Sequence, residues 1–216
     1  MLHKTRGIVF KFFRYRDTSI IVKILTERLG VQTYVVNGVR SKNAKIKIAL
    51  FQPLTLLDLV VYYKENAEMH RIAEVRCTEP YLSMPYNVVK SSIGVFLAEV
   101  LYKSIKEEGE ITDLFDFIHD SMMVFDHLET GFENFHLQFM LKLTRYLGFG
   151  MENIFADKVP GSENTIVRLL KSPYDGQVTL TNGERREALD SIIRFYTSHI
   201  DSFGELRSLR VLQEVL

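Results

Sequence analysis

The chain has 216 residues, 46% of them hydrophobic, and its 27 lysines and arginines are balanced by 27 acidic side chains. This composition is ordinary for a globular protein, and no apolar run approaches the roughly 20 residues that span a bilayer, so the sequence predicts no membrane partner. The only cysteine, Cys77, excludes an internal disulfide and a cysteine-cluster zinc site, and the lack of an apolar signal segment after Met1 predicts a cytoplasmic location.

The net charge of zero conceals an uneven distribution along the chain. Residues 1–50 carry eleven lysines and arginines against two acids, which is a net charge of +9. The remaining 166 residues carry 16 cations and 25 acids, which is a net charge of −9. Such a split between the two parts is typical of a polyanion-binding module joined to a module with another role.

The first part of the chain predicts five short strands. Alternating or β-branched and aromatic runs are separated by polar turns, and Pro53 and Pro80 punctuate the last two runs. Five short strands within this length predict a small antiparallel barrel of the OB-fold type, a nucleic-acid-binding domain over residues 1–80. The predicted strands cover residues 7–13, 19–26, 31–36, 54–63 and 69–77.

A basic loop joins the third and fourth predicted strands. Between residues 37 and 47 it carries four cations and no acid, and Gly38 permits a tight exit from the preceding strand. Cations that neutralise phosphates and aromatic rings that stack on bases are the two means of binding a nucleic-acid strand. A solvated loop, and rings that fill the core, are the alternatives. The predicted binding residues are Lys11, Arg14, Arg16, Arg40, Lys42, Lys45 and Lys47, with Phe12 and Tyr15 as the stacking rings.

The rest of the chain, residues 81–216, predicts a helical domain. Asn87 is expected to cap a helix through Lys106, and Thr112 a second helix to about residue 128. Residues 150–182 contain turn signals around short apolar runs and predict an irregular insertion. The fold class is therefore α+β, with a five-stranded OB barrel followed by an all-helical domain. Further helices are predicted at residues 132–147, 184–199 and 206–216.

Two carboxylate–histidine pairs in the helices suggest a weaker alternative. Asp116 with His119, and Glu133 with His136, have the spacing of di-iron helical bundles. Pairs of this kind also arise often by chance, and the sequence shows no nucleophile with an activating base. We therefore expect no catalytic residue, no metal site and no cofactor, and a helical metalloenzyme remains the alternative.

Several segments carry a family likeness through their order and spacing. They are KTRGIV at residues 4–9, YRDTSII at 15–21, LTERLG at 25–30, NGVRSK at 37–42, FQP at 51–53, AEVL at 98–101, FMLKL at 139–143 and LGFG at 147–150. Together they resemble the family of the bacterial recombination mediator RecO. The likeness covers most of the chain apart from residues 150–182.

The resemblance implies an N-terminal OB fold, a helical C-terminal domain and a non-enzymatic role in recombinational repair. Members of the family bind single- and double-stranded DNA, anneal strands coated by single-strand-binding protein, and act with RecR to load recombinase. Such a protein would be cytoplasmic and associated with the nucleoid. Many members carry a four-cysteine zinc module after the Leu-Gly-Phe turn, and this chain has no cysteine there.

The resemblance also implies a pocket in the helical domain for the acidic, apolar tail of single-strand-binding protein. The third predicted helix combines Phe139 with Lys142 and Arg145, which suit such a ligand chemically. An ordinary amphipathic core helix is the alternative for these three residues. An OB-fold RNA-binding protein is the alternative for the whole chain, because phosphate neutralisation and stacking do not distinguish the two sugars.

Overall fold

A computed structural model describes residues 1–106, 109, 111–150, 165–174 and 178–216. Five strands come first, namely β1 Leu2–Tyr15, β2 Ser19–Thr26, β3 Gly30–Val36, β4 Leu56–Tyr62 and β5 His70–Arg76. The α-helices that follow are α1 Val88–Ser104, α2 Thr112–His127, α3 Phe135–Tyr146, α4 Thr165–Lys171, α5 Asn182–His199 and α6 Leu209–Val215. Strands followed by helices confirm the predicted α+β class.

The strands form a closed barrel in the order β1-β2-β3-β5-β4, in which β1 also pairs with β4. Neighbouring strands are antiparallel except β3 and β5, which run parallel. The parallel pair is joined by two rungs only, Tyr34 with His70 and Val35 with Arg71. This arrangement confirms the predicted five-stranded OB barrel.

Strand β1 is longer than predicted because it pairs with two neighbouring strands. Its first part, from Leu2 to Ile8, pairs with β4, and its second part pairs with β2. Gly7 lies where the strand passes from one neighbour to the other, and a Cβ there would meet Leu59 Cδ1 at 2.7 Å and Ile24 Cγ2 at 2.8 Å. The barrel core forms from inward residues of the strands, and Ile72 and Val75 of β5 pack against it. Its buried members on the other four strands are Val9, Ile20, Val22, Ile24, Tyr34, Val36, Leu57, Leu59 and Val61.

The helices begin at recognisable caps. The predicted cap Asn87 accepts a hydrogen bond from the Lys90 backbone N–H at 3.1 Å, and Thr181 forms a capping box with Glu184 at the start of α5. Part of the predicted irregular insertion, residues 151–164 and 175–177, lies outside the described residues. Within the remainder, α4 forms because its buried Ile166 and Leu169 share one helical face.

The chain divides into two compact units. The first unit comprises Met1–Tyr81 and Ala98–His119, and the second comprises Leu82–Leu97 and Asp120–Leu216. Helices α1 and α2 each contribute residues to both units, and the division into domains at residue 80 stays a prediction. Across the part of the chain that the structure describes, no helix combines the length and apolar character that a membrane crossing requires.

Candidate nucleic-acid interface

The outer surface of β1, β2 and β3 carries lysines and apolar side chains in adjacent rungs. Lys11 pairs with Lys23 and Phe13 with Ile21, while Val35 of β3 continues the second rung. Alternate residues of a strand point to the same side, so these side chains share the surface opposite the barrel core. Arg71, beside Val35, extends this surface onto β5. We call it the cationic face, and it consists of Lys11, Phe13, Ile21, Lys23, Thr33, Val35 and Arg71.

A bulge in β1 determines which phenylalanine faces outward. The register between β1 and β2 shifts between Val9 and Lys11, so Phe12 packs against the barrel core. Phe13 instead lies on the cationic face and is 41% exposed. The Lys11 amine lies 5.1 Å from the centre of the Phe13 ring and 5.4 Å from that of Tyr102. Phe13 is therefore more accessible to a base than Phe12, and the stacking roles of Phe12 and Tyr15 stay predictions.

The turn between β1 and β2 lies against the start of the basic loop. The Arg40 backbone N–H donates to the Thr18 carbonyl at 2.9 Å, and the Arg40 guanidinium donates to the Arg16 carbonyl at 3.4 Å. Ser19 Oγ donates to Asn37 Oδ1 at 3.1 Å. These contacts bring Arg16 and Arg40 together at one end of the barrel.

The basic loop is pinned to the barrel by its apolar residues. Gly38 has a positive φ of 69°, and its carbonyl accepts hydrogen bonds from the Ser41 backbone and side chain. Val39 and Ala44 are buried, and Ile46 packs against the barrel core. Because these anchors face inward, the cations between them project into solvent. The exposed cations of the loop are Lys42, Lys45 and Lys47.

The exposed cations have no competing acids bound to them. Among the residues that the structure describes, neither the three lysines of the basic loop nor Arg14 makes a salt bridge. Exposed and unpaired cations can each contact a phosphate and release a counterion. Arg14 and Tyr15 lie at the end of β1, and the Arg16 guanidinium lies 5.1 Å from the Tyr15 ring.

Three residues of the cationic face were absent from the predicted binding residues. The alternation of Ser19–Thr26 places Lys23 on the side opposite Val22, and this signal could have identified it. Phe13 was one of the aromatic residues of this strand, but Phe12 was preferred to it because a bulge is not visible in the alternation. Arg71 is brought to this face by the β3–β5 pairing, a long-range interaction that no local pattern reports.

The residues predicted to bind a partner tail occupy different environments in the second unit. Phe139 is fully buried, and its ring stacks on Phe135 with centres 6.0 Å apart. The Lys142 amine donates to the Ser172 carbonyl at 3.0 Å and lies 4.1 Å from the Tyr174 ring centre, and burial lowers its pKa. Arg145 is exposed, so it is the one of the three whose side chain is fully available at the surface.

The residues of the two carboxylate–histidine pairs lie in different surroundings. Asp116 accepts a hydrogen bond from Arg6 at 2.5 Å, and His119 Nε2 lies 3.3 Å from Glu79. His136 is fully buried, and burial lowers its pKa to about 3. Within the described ranges, no group of three or more histidine, cysteine or acidic residues is arranged to hold a metal ion.

Comparisons with known proteins agree in one family. Residues 1–81 match the family model described as Recombination protein O N terminal, and residues 85–153 match Recombination protein O C terminal. The chain is 35% identical to the DNA repair protein RecO of Bacteroides fragilis, over 100% of this chain and 99% of that protein. The RecO proteins of Phocaeicola vulgatus and Flavobacterium psychrophilum are each 33% identical, over 98% or more of both chains.

Proposed function

The chain belongs to the RecO family of DNA repair proteins, and from this membership we propose that it binds single- and double-stranded DNA in recombinational repair. It anneals strands coated by single-strand-binding protein and helps to load recombinase. The observation that carries the proposal is the cationic face with its neighbouring basic loop. Both belong to the first unit, within the residues that match the N-terminal family model.

The first step of the proposed activity is capture of the phosphate backbone. The lysines of the basic loop are exposed and form no ion pair within the described part of the chain, so they can approach phosphates directly. Arg16 and Arg40 lie together beside them, and Arg40 also holds the turn in place through its backbone N–H. Contacts of this kind position a strand without reading its sequence.

The second step is contact with unpaired bases. Phe13 projects from the cationic face between Lys11 and the neighbouring strand, where a base of a single strand can stack on it. A duplex hides the faces of its bases and can use only the cations. Single strands can therefore use a stacking ring that is closed to duplexes.

Annealing follows from these interactions without a chemical step. Two complementary strands repel each other through their phosphates, and a surface rich in cations reduces this repulsion. No bond is made or broken, so the proposed activity is non-enzymatic and requires neither metal nor cofactor. Asp116 is bound to Arg6 and His119 to Glu79, and this engagement supports this part of the proposal.

The proposed partners are RecR and the C-terminal tail of single-strand-binding protein. The exposed Arg145 and the half-buried Lys142 give the second unit cations that can meet an acidic tail. Phe139 lies in the core, so the apolar end of the tail would bind at another surface. The proposed location is the cytoplasm, at the nucleoid.

Two assays on the intact chain test the proposal. Complementary DNA strands coated with single-strand-binding protein should anneal faster with the protein, and matched single-stranded DNA and RNA oligomers should compete in favour of DNA. The double variant Lys11→Gln, Lys23→Gln should weaken both activities. The matched control, Arg186→Gln with Arg194→Gln in the second unit, should keep them. Tighter binding of RNA would favour the RNA-binding alternative, and no annealing by the intact chain would contradict the proposal.

A further inference from the structure

A groove of about 570 Å³ lies on the outer surface of β1, β4 and β5 in the first unit. It differs from the cationic face in carrying acids as well as cations. Its lining includes Lys4 of β1, Asp58 of β4, Glu74 and Arg76 of β5, and Arg28 of the turn before β3. We call it the mixed-charge groove.

One wall of the groove is fixed by a network around Arg6. Its guanidinium donates to Glu27 at 3.0 and 3.1 Å and to Asp116 at 2.5 Å, and it lies 4.8 Å from the Phe115 ring centre. The hydrogen bond with Glu27 raises the pKa of Arg6 and lowers that of Glu27. Both groups therefore stay charged and engaged with each other, and this wall is preorganised.

The other charged side chains of the groove are exposed. The register places Asp58 between Arg6 and Arg76, and Val60 between Lys4 and Glu74. Within the described part of the chain, Lys4, Arg28, Asp58, Glu74 and Arg76 form no salt bridge. Two acids and three cations thus face one groove, exposed to solvent and available to a ligand.

The same surface ends in an apolar rung. Leu2 pairs with Tyr62, and their side chains are 55% and 54% exposed. From the rung of Arg6 to that of Leu2 is four residues along β1, a distance of about 13 Å. An extended segment of about five residues would span the charged rungs and reach the apolar one.

We propose that the mixed-charge groove binds an extended segment of a protein partner, a segment that carries an acid, a base and an apolar side chain. An acid would meet Lys4 or Arg76, a base would meet Asp58 or Glu74, and an apolar residue would cover Leu2 and Tyr62. A nucleic-acid strand fits less well, because its phosphates would face the two acids. The groove is thus a second binding site that selects a different class of partner from the cationic face.

The test uses a labelled, acetylated peptide of sequence Leu-Ser-Glu-Ser-Lys, with all-acidic and all-basic peptides of the same length as controls. In titrations of the intact chain, the mixed peptide should bind about tenfold more tightly than either control. The variant Asp58→Lys, Glu74→Lys should lose about tenfold for the mixed peptide and gain affinity for the acidic one. Both substituted residues are exposed, and thermal unfolding would confirm that the variant folds.

DNA titrations separate this inference from the proposed function. The variant Lys4→Gln, Arg76→Gln should bind a single-stranded oligomer as tightly as the parent chain and lose the mixed peptide. Equal binding of the mixed and control peptides, or no binding at millimolar concentration, would overturn the inference. A loss of DNA affinity equal to that of a cationic-face variant would overturn it in favour of a nucleic-acid strand.

Discussion

The lysines of the basic loop and Lys90 of the second unit differ in burial and in partners, although the side chain is the same. Lys42, Lys45 and Lys47 project into solvent and make no salt bridge with the residues that the structure describes. Lys90 is 2% exposed, and its amine donates to Ser83 Oγ at 2.6 Å and to the Asp126 carbonyl at 2.9 Å. A lysine of the first kind can bind a ligand, and one of the second kind stabilises the fold.

The surroundings of Lys90 show how a buried cation is held. The Asp126 carboxylate accepts hydrogen bonds from the backbone N–H groups of residues 82–84, at 2.7 to 2.9 Å. The Lys90 amine lies between this segment and the end of α2, near the rings of Phe125 and Phe132. Burial lowers the pKa of Lys90. The number of cations in a segment therefore predicts binding only where the cations are exposed and unpaired.

The largest expected effect is on DNA affinity. Replacing Arg40, Lys42, Lys45 and Lys47 together by Ala should weaken single-strand binding about 1000-fold at low salt, because four cations can no longer neutralise phosphates. The unfolding midpoint should change little, since three of the four side chains are exposed and the fourth is half-buried. Fluorescence anisotropy with a labelled oligomer measures the affinity.

A matched variant of exposed cations in the second unit serves as the control. It replaces Lys171, Arg186, Arg194 and Arg210 by Ala. This variant should bind DNA within about twofold of the parent chain. Equal losses of affinity in the two variants would show that total charge, and not the basic loop, determines binding.

The next largest effect concerns stability, and it tests whether the buried Lys90 stabilises the fold. Lys90→Met should lower the free energy of unfolding by about 3 kcal/mol, because it removes a buried cation and its two hydrogen bonds. The exposed Lys171→Met should change it by less than about 0.5 kcal/mol. Chemical denaturation of both variants measures the difference, and similar values would contradict the structural role of Lys90.

A pH effect should come from the buried imidazole of His136. Its folded pKa of about 3 lies below the ordinary value, so the unfolded chain takes up a proton first as the pH falls below about 6.5. The stability that the neutral imidazole contributes is complete above that pH. It falls by about 1.4 kcal/mol for each pH unit of acidification towards pH 3. Because of this group, the free energy of unfolding should be about 2 kcal/mol lower at pH 5 than at pH 7.

The variant His136→Leu isolates this contribution. It should remove about 2 kcal/mol of the difference between pH 7 and pH 5, since leucine binds no proton. The exposed Val124→Ala is the control and should leave the difference unchanged, since neither side chain binds a proton. If the difference between pH 7 and pH 5 were as large in His136→Leu as in the parent chain, other groups would take up the proton.

The smallest expected effect concerns stacking. Phe13→Ala should weaken single-strand binding by about tenfold, which corresponds to one stacked base, and leave duplex binding nearly unchanged. Phe12→Ala should mainly lower stability, because Phe12 packs against the barrel core. If Phe12→Ala instead reduced DNA affinity in the folded protein, the outward side of β1 would be misassigned.

The sequence predicted the barrel well because its strands have strong local signals. Strand β2 spans Ser19–Thr26 as predicted, since its alternation is uninterrupted. The bulge near Phe10 could not be predicted from the alternation, because it depends on how β1 pairs with β2. The same holds for the long β1, whose first residues gain their strand conformation from β4.

The candidate sites were predicted less completely than the fold. The basic loop is a local feature of the sequence, and the structure shows its lysines exposed. The helical spacing of Phe139, Lys142 and Arg145 could not show that α4 and the following segment cover part of this helix. The mixed-charge groove combines residues from three strands and a turn, and only the closed barrel brings them together.

The most direct test of the central claim is the salt dependence of single-strand binding. We predict a linear fall of log affinity with log salt for the parent chain, with a slope that becomes shallower by about one for each cation that no longer neutralises a phosphate. The basic-loop variant should therefore have a clearly shallower slope, and the control variant of the second unit should keep that of the parent. A parent affinity that stays flat between low and physiological salt would contradict the claim.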